Sequence, residues 1–177
     1  MIVHFKSALS ITLLTTALGL AFVTSDVQAA TRHHSFVQNA TGACQSALPV
    51  FDGQIRKRPL AIQNEGTASA FISCSLLGTD RSFAGITQIE VFANNNTASV
   101  VHLSCTLITG LSKFGTQQFL PKTIVMPVGG GLNIFQWSLP DNGGNPFNNF
   151  TVNVSCDLPV GIGLSIMFID FDEDVGA

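Results

Sequence analysis

Apolar and polar residues alternate with a period of two along several stretches of this chain, the pattern of a β-strand with one buried and one wet face. It is clearest over residues 149–156, where Phe150, Val152, Val154 and Cys156 share one side and Asn149, Thr151, Asn153 and Ser155 the other. Residues 99–107 group Val101, Leu103, Cys105 and Leu107, and residues 70–76 group Ala70, Ile72, Cys74 and Leu76. Further strands are expected at 54–62, 86–93, 122–128, 132–138 and 162–172, divided by turn-forming runs such as Asn94-Asn95-Asn96, Gly129-Gly130-Gly131 and the stretch from Asp141 to Pro146. Beyond residue 30 no segment sustains the 3.6-residue apolar period of a helix. About eight or nine short strands, with no helices to cover a parallel sheet, predict an all-β fold: an antiparallel two-sheet β-sandwich of immunoglobulin-like or jelly-roll type. Trp137 lies far beyond Cys105, unlike the closely following tryptophan of true immunoglobulin domains.

The N-terminus breaks this pattern. His4 and Lys6 precede an uncharged apolar run from Ala8 to Val23, and no basic flank follows it. That is the build of a signal peptide, too short for a bilayer span of about 20 residues. Val27 and Ala29 are the small residues that signal peptidase reads, so cleavage is expected between Ala29 and Ala30. The expected organisation is a signal peptide over 1–29 and a single sandwich domain over 30–177. No integral membrane segment is expected after cleavage, and the mature chain is placed in the periplasm or the medium. Lys6 and Asp26 leave together, so the formal net charge of -3 is unchanged.

Cys44, Cys74, Cys105 and Cys156 all survive cleavage. An even number in an exported chain reads as two structural disulfides, and without a CxxC pair neither redox catalysis nor a zinc ribbon is indicated. The echoes SCSL at 73–76, SCTL at 104–107 and SCDL at 155–158 put three of the cysteines on the core side of similar strands. Strand similarity and chain order favour Cys44 with Cys74 and Cys105 with Cys156 among the three connectivities that four cysteines allow.

Charge is scarce, at 11% of residues against about 25% in typical globular domains. A mildly acidic, charge-poor chain cannot grip phosphates, so nucleic acid is not expected as a partner. What charge there is clusters: Arg56, Lys57 and Arg58 on one side of the balance, Asp170, Asp172, Glu173 and Asp174 on the other. One expectation is that the basic strand lies beside the acidic one and pairs with it. The other is a calcium site of Asp170, Asp172 and Asp174, alternate strand residues that share a face and carry the oxygen ligands hard cations take. Were cleavage to fall after Ala30, the terminus Thr31-Arg32-His33 would offer copper(II) its square-planar nitrogen set; otherwise this end is expected to fray.

Hydrolytic chemistry finds little support, for neither GxSxG nor HExxH occurs. His102 is read as the one histidine of the folded body, on a polar strand face, and Glu65 and Glu90 have nothing local to bring them together as a glycosidase pair. In residues 132–138 either face can be the core. If Asn133, Phe135 and Trp137 point outward they form a ligand platform on which sugars stack; if inward, Trp137 fills the sandwich centre. Sequons begin at Asn39, Asn95, Asn149 and Asn153, but the short leader and the Thr/Asn-rich body are of bacterial type and glycans are not predicted.

The stretch IRKRPLAIQNEGTASAFISCS (55–75), with the terminal FDEDVG (171–176), resembles an uncharacterised group of small exported bacterial β-rich proteins with similar cysteine placement. That resemblance implies no activity and no functional residue. Fimbrial subunits are similar in composition only, since the acidic ending departs from the apolar last strand used in their assembly. The expected function is an exported non-enzymatic binding or structural protein, with an envelope glycan or self-association as its partner. The alternatives are a calcium-dependent or hydrolytic enzyme using the C-terminal carboxylates, and a fimbria-like assembly subunit.

Overall fold

The computed structural model describes residues 30–76, 85–111, 117–129, 131–148 and 150–175. The expected leader, residues 1–29, therefore lies outside the described residues. Eleven strands form among those described: β1 (Thr31–Asn39), β2 (Cys44–Ser46), β3 (Ile55–Arg58), β4 (Ala61–Asn64), β5 (Ala70–Leu76), β6 (Gly85–Asn95), β7 (Val101–Thr109), β8 (Gln118–Met126), β9 (Leu132–Ser138), β10 (Val152–Leu158) and β11 (Ile162–Asp174). They make two antiparallel sheets, the sandwich that the alternation predicted. One runs β3-β4-β11-β6-β9, with β1 also paired to β11, and the other runs β2-β5-β10-β7-β8.

Several boundaries differ from the alternation. The expected strand 54–62 is a tight hairpin, β3 and β4, broken where Pro59 cannot donate to a ladder. The strand expected from 149 begins only at Val152, and Phe150 is exposed. β1 falls outside every strand that the alternation predicts. The end expected to fray instead pairs over nine residues with β11, from Thr31 opposite Asp174 to Asn39 opposite Ile166.

Inward side chains of both sheets form one core. It includes Ile72, Ile86, Ile89, Leu103, Leu107, Phe135, Trp137, Leu158 and Met167. The four cysteines lie in this core, each opposite its bonded partner on a neighbouring strand. Cys44 joins Cys74 between β2 and β5, and Cys105 joins Cys156 between β7 and β10, the expected pairs.

A single device recurs wherever the chain passes from the six-stranded to the five-stranded sheet. At the ends of β1, β4 and β6 and before β10 stands an asparagine whose Oδ1 accepts the N–H two residues on: Asn39 from Thr41, Asn64 from Gly66, Asn95 from Thr97 and Asn148 from Phe150. Asn at such a place offers the backbone the bond that the strand no longer supplies. Two of these corners are buried clamps. Asn64 Nδ2 donates to the carbonyls of Ala68 and Leu158 at 2.8 and 2.7 Å, and Asn95 Nδ2 reaches Ser99, Met126 and Pro127 at 2.8, 3.2 and 3.0 Å. Gly161 bridges them: its N–H donates to the Asn64 carbonyl and its own carbonyl accepts from Asn96 N–H. Its φ of +78° and a hypothetical Cβ only 2.6 Å from Thr97 Cγ2 explain the glycine.

Candidate functional site

The outward face of the six-stranded sheet carries the chemistry. Along β6 the residues Gln88, Glu90, Phe92 and Asn94 lie opposite Ser138, Gln136, Ile134 and Leu132 of β9. On the other flank Glu90 lies opposite Phe168 of β11 and Gln88 opposite Asp170. β1 completes the rows, with Val37 opposite Phe168, Ser35 opposite Asp170 and His33 opposite Asp172. A register shift between Leu164 and Met167 sets both Ser165 and Ile166 against Phe92, a bulge that bends the strand. Phe92 and Phe168 thereby meet, half-buried, with ring centroids 5.3 Å apart and planes tilted by 54°.

Around this aromatic pair the face divides. Towards one end it is aliphatic, with Leu132, Ile134, Ile166 and Val37 exposed. Towards the other it is polar: Gln88 Nε2 donates to Glu90 Oε1 at 2.8 Å, Ser35 Oγ to Asp170 Oδ1 at 2.6 Å, and His33 Nδ1 lies 3.0 Å from Asp172 Oδ1. An open cleft of about 450 Å³ sinks beside them between His33, Thr87, Gln88, Asp170 and the turn at Ser138, Leu139 and Pro140. Ser35 gives its proton to a carboxylate, so no imidazole stands between hydroxyl and acid as a nucleophilic relay requires. The arrangement offers apolar ring faces, amides and acceptors side by side, which is recognition chemistry.

Of the two arrangements open to residues 132–138, the structure takes the inward one, and there is no outward platform of Asn133, Phe135 and Trp137. Phe135 and Trp137 are 0% and 1% exposed, stacked on one another at 5.7 Å, with Trp137 Nε1 donating to the Leu120 carbonyl. Burial wins because β9 is an edge strand whose inner face closes the core, and a ring with one donor fits there once that donor has a partner. Asn133, half-buried beside them, donates to the Gly131 carbonyl. The exposed face of β9 is the opposite one, Leu132, Ile134 and Gln136.

Asp170 and Asp172 do share the outward face, but each is matched to β1, by Ser35 and His33. The Asp174 side chain lies outside the described residues. Among the described residues no group of three or more His, Cys, Asp or Glu could hold a metal ion. Nor does the basic cluster meet the acidic strand, because among the described residues β3 pairs only with β4; Arg58 instead forks onto Glu65 through Nε and Nη2 at 2.6 and 2.5 Å, raising the guanidinium pKa and lowering that of the carboxyl. His33 and His34 join the fold with β1, so His102, exposed on the outer face of β7, is not its one histidine. A copper site at Thr31-Arg32-His33 is likewise disfavoured, since the β1 backbone is committed to its ladder and His33 Nδ1 to Asp172. Glu65 and Glu90 occupy different regions, and Asn95, with 0% exposure, presents no amide to a glycan.

Phe92 and Phe168 are the residues that periodicity missed. Each sat within an expected strand, and its place opposite the buried Val91 and Met167 was the available signal.

No family model matches the chain, and no curated protein matches it. Among solved structures it is similar to the C-terminal CBM6 of LamC, a marine laminarinase from Zobellia galactanivorans, with 11% identity over 77% of this chain and 98% of that one and a TM-score of 0.47. TmCBM61, solved in complex with β-1,4-galactotriose, is similar at 10% identity over 78% and 86% of the two chains with a TM-score of 0.37. A carbohydrate-binding module specific for non-crystalline cellulose, CBM28, follows at 9% identity over 76% and 69% with a TM-score of 0.34. No functional residue is carried across from any of them.

Proposed function

We propose that the chain is an exported, non-enzymatic binding module that holds an uncharged glycan chain of the envelope or medium on the outer face of its six-stranded sheet. The observation that carries this reading is the half-exposed Phe92–Phe168 pair, set among Gln88, Glu90, Asn94 and Gln136. Sugar rings present apolar C–H faces to aromatic rings and hydroxyls to amides and carboxylates, and the row offers both along one line. Two buried disulfides support an oxidising compartment. A fimbria-like role is less well supported, because β11 has neighbours on both edges and leaves no groove there for a donated strand.

Affinity electrophoresis of residues 30–177 through gels cast with neutral polysaccharides tests the reading. Retardation by at least one polymer is expected, and Phe168→Ala should weaken it at least tenfold with an unchanged circular-dichroism spectrum. A chain retarded by none, or equally retarded after Phe168→Ala, rejects it.

A further inference from the structure

The sheets end in strands that are protected unequally. Exposed strand edges pair with other chains unless shortened, charged or interrupted by proline. β2 has three residues; β3 is the basic Ile55–Arg58, an edge role that accounts for its charge; β8 carries Pro121 and Lys122; β1 carries Arg32, His33 and His34. β9, with sequence LNIFQWS, has no charge, no proline and seven residues, and among the described residues it pairs only with β6.

Part of that edge is closed from within. Lys122 Nζ donates to the Gln136 carbonyl at 2.5 Å, and Asp141 Oδ2 accepts the Ser138 N–H at 2.9 Å. These contacts fix which residues turn their backbone outward, since the two edges of a strand alternate: Ser138, Gln136, Ile134 and Leu132. The first two are engaged. Leu132 and Ile134 keep outward-turned N–H and C=O groups with side chains 66% and 45% exposed.

We propose that a second copy of this chain pairs with that edge, β9 antiparallel to β9, about a two-fold axis at Asn133. This register sets Leu132 opposite Ile134 of the other copy, and the reverse. Their N–H and C=O groups make four hydrogen bonds, the Gln136 carbonyl stays with Lys122, and the four aliphatic side chains cluster on one face. The edge is complementary to itself, which is what a closed two-fold pair requires, and the union joins the two six-stranded sheets into one.

Sedimentation of residues 30–177 with both disulfides intact, from micromolar to millimolar, should show monomer and dimer in equilibrium. Ile134→Lys sets a charge against Leu132 of the other copy and should weaken association at least tenfold, whereas Val37→Lys on β1 should leave it unchanged. Ile134 is exposed, so the variant should keep the parent's circular-dichroism spectrum and melting temperature. Asn133→Cys should give a covalent dimer on mild oxidation, because the axis brings the two Cβ atoms face to face. A monomer at every concentration, association untouched by Ile134→Lys, or Asn133→Cys that stays monomeric under oxidation overturns the proposal.

Discussion

The two sheets are built to opposite plans. The five-stranded sheet is covalently stapled within itself, and small hydroxyls hold the centre of its outer face, Ser73 and Ser75 on β5, Ser155 on β10, Ser104 and Thr106 on β7, Thr123 on β8, with Phe71, Phe119 and Val125 exposed around them. The six-stranded sheet has no disulfide among its described strands. It has register shifts, an aromatic pair, carboxylates and a cleft. Regular, cross-linked strands hold shape, while bulged strands aim side chains; under the proposed function one sheet is the frame and the other the working face.

Cutting the staples is the most severe test of that division. Closing a loop removes unfolded-state entropy, so replacing Cys105 and Cys156 together by Ala, a separation of 51 residues, should cost about 4 kcal/mol. The Cys44 and Cys74 pair, separated by 30, should cost about 3.5 kcal/mol. Urea unfolding of each double variant measures both. If losing either pair costs under about 1 kcal/mol, the stapled sheet is not the frame.

Next comes the joint between the sheets. Asn95→Ala strips a fully buried corner of its donors and its acceptor and should cost about 2–4 kcal/mol, whereas Asn148→Ala, at an exposed corner, should cost under about 1 kcal/mol. Equal losses in thermal melting would mean that the corners act as turns alone and not as buried clamps. A smaller effect separates the faces by function: Thr106→Lys in the centre of the hydroxyl face should leave glycan retardation within about twofold of the parent, because a surface substitution away from the site changes little. Retardation lost in Thr106→Lys and kept in Phe168→Ala would exchange the roles of the two sheets.

This division was only half legible in the sequence. Strands such as 70–76 and 101–107 announced themselves because one face is buried and the alternation is strict. β1 did not, since its burial pattern contains no fully buried residue and its strand character comes from a partner at the far end of the chain. The same distance hid the working face: Phe92 and Phe168 meet only through the pairing of β6 with β11 and its bulge. Trp137 was ambiguous because both faces of β9 are apolar, and only tertiary packing chooses between them. Asparagine is mostly a surface residue, yet Asn64 and Asn95 are buried, a role visible only when the carbonyls of Leu158, Met126 and Pro127 arrive from elsewhere in the chain.

The mildest prediction concerns the seam where the frame meets the working face. Lys122 of β8 donates to Asp141 just beyond β9 at 2.9 Å. Burial works to raise the Asp141 pKa, but the Lys122 ammonium together with the Ser138 N–H and hydroxyl outweighs it and holds the carboxyl below its ordinary value. A lowered native pKa means that the contribution is complete above the unfolded value, about 4, and is lost as pH falls through the native one. Both side chains are about a third exposed, so screening limits the pair to roughly 1 kcal/mol, a melting shift of about 2–4 °C in a chain of this size. Asp141→Asn should therefore melt lower than the parent at pH 7, with a gap that narrows below about pH 4. A gap of the same size at pH 7 and pH 2.5 would mean that the seam is held by the shape of the capped turn at Ser138 and owes nothing to charge.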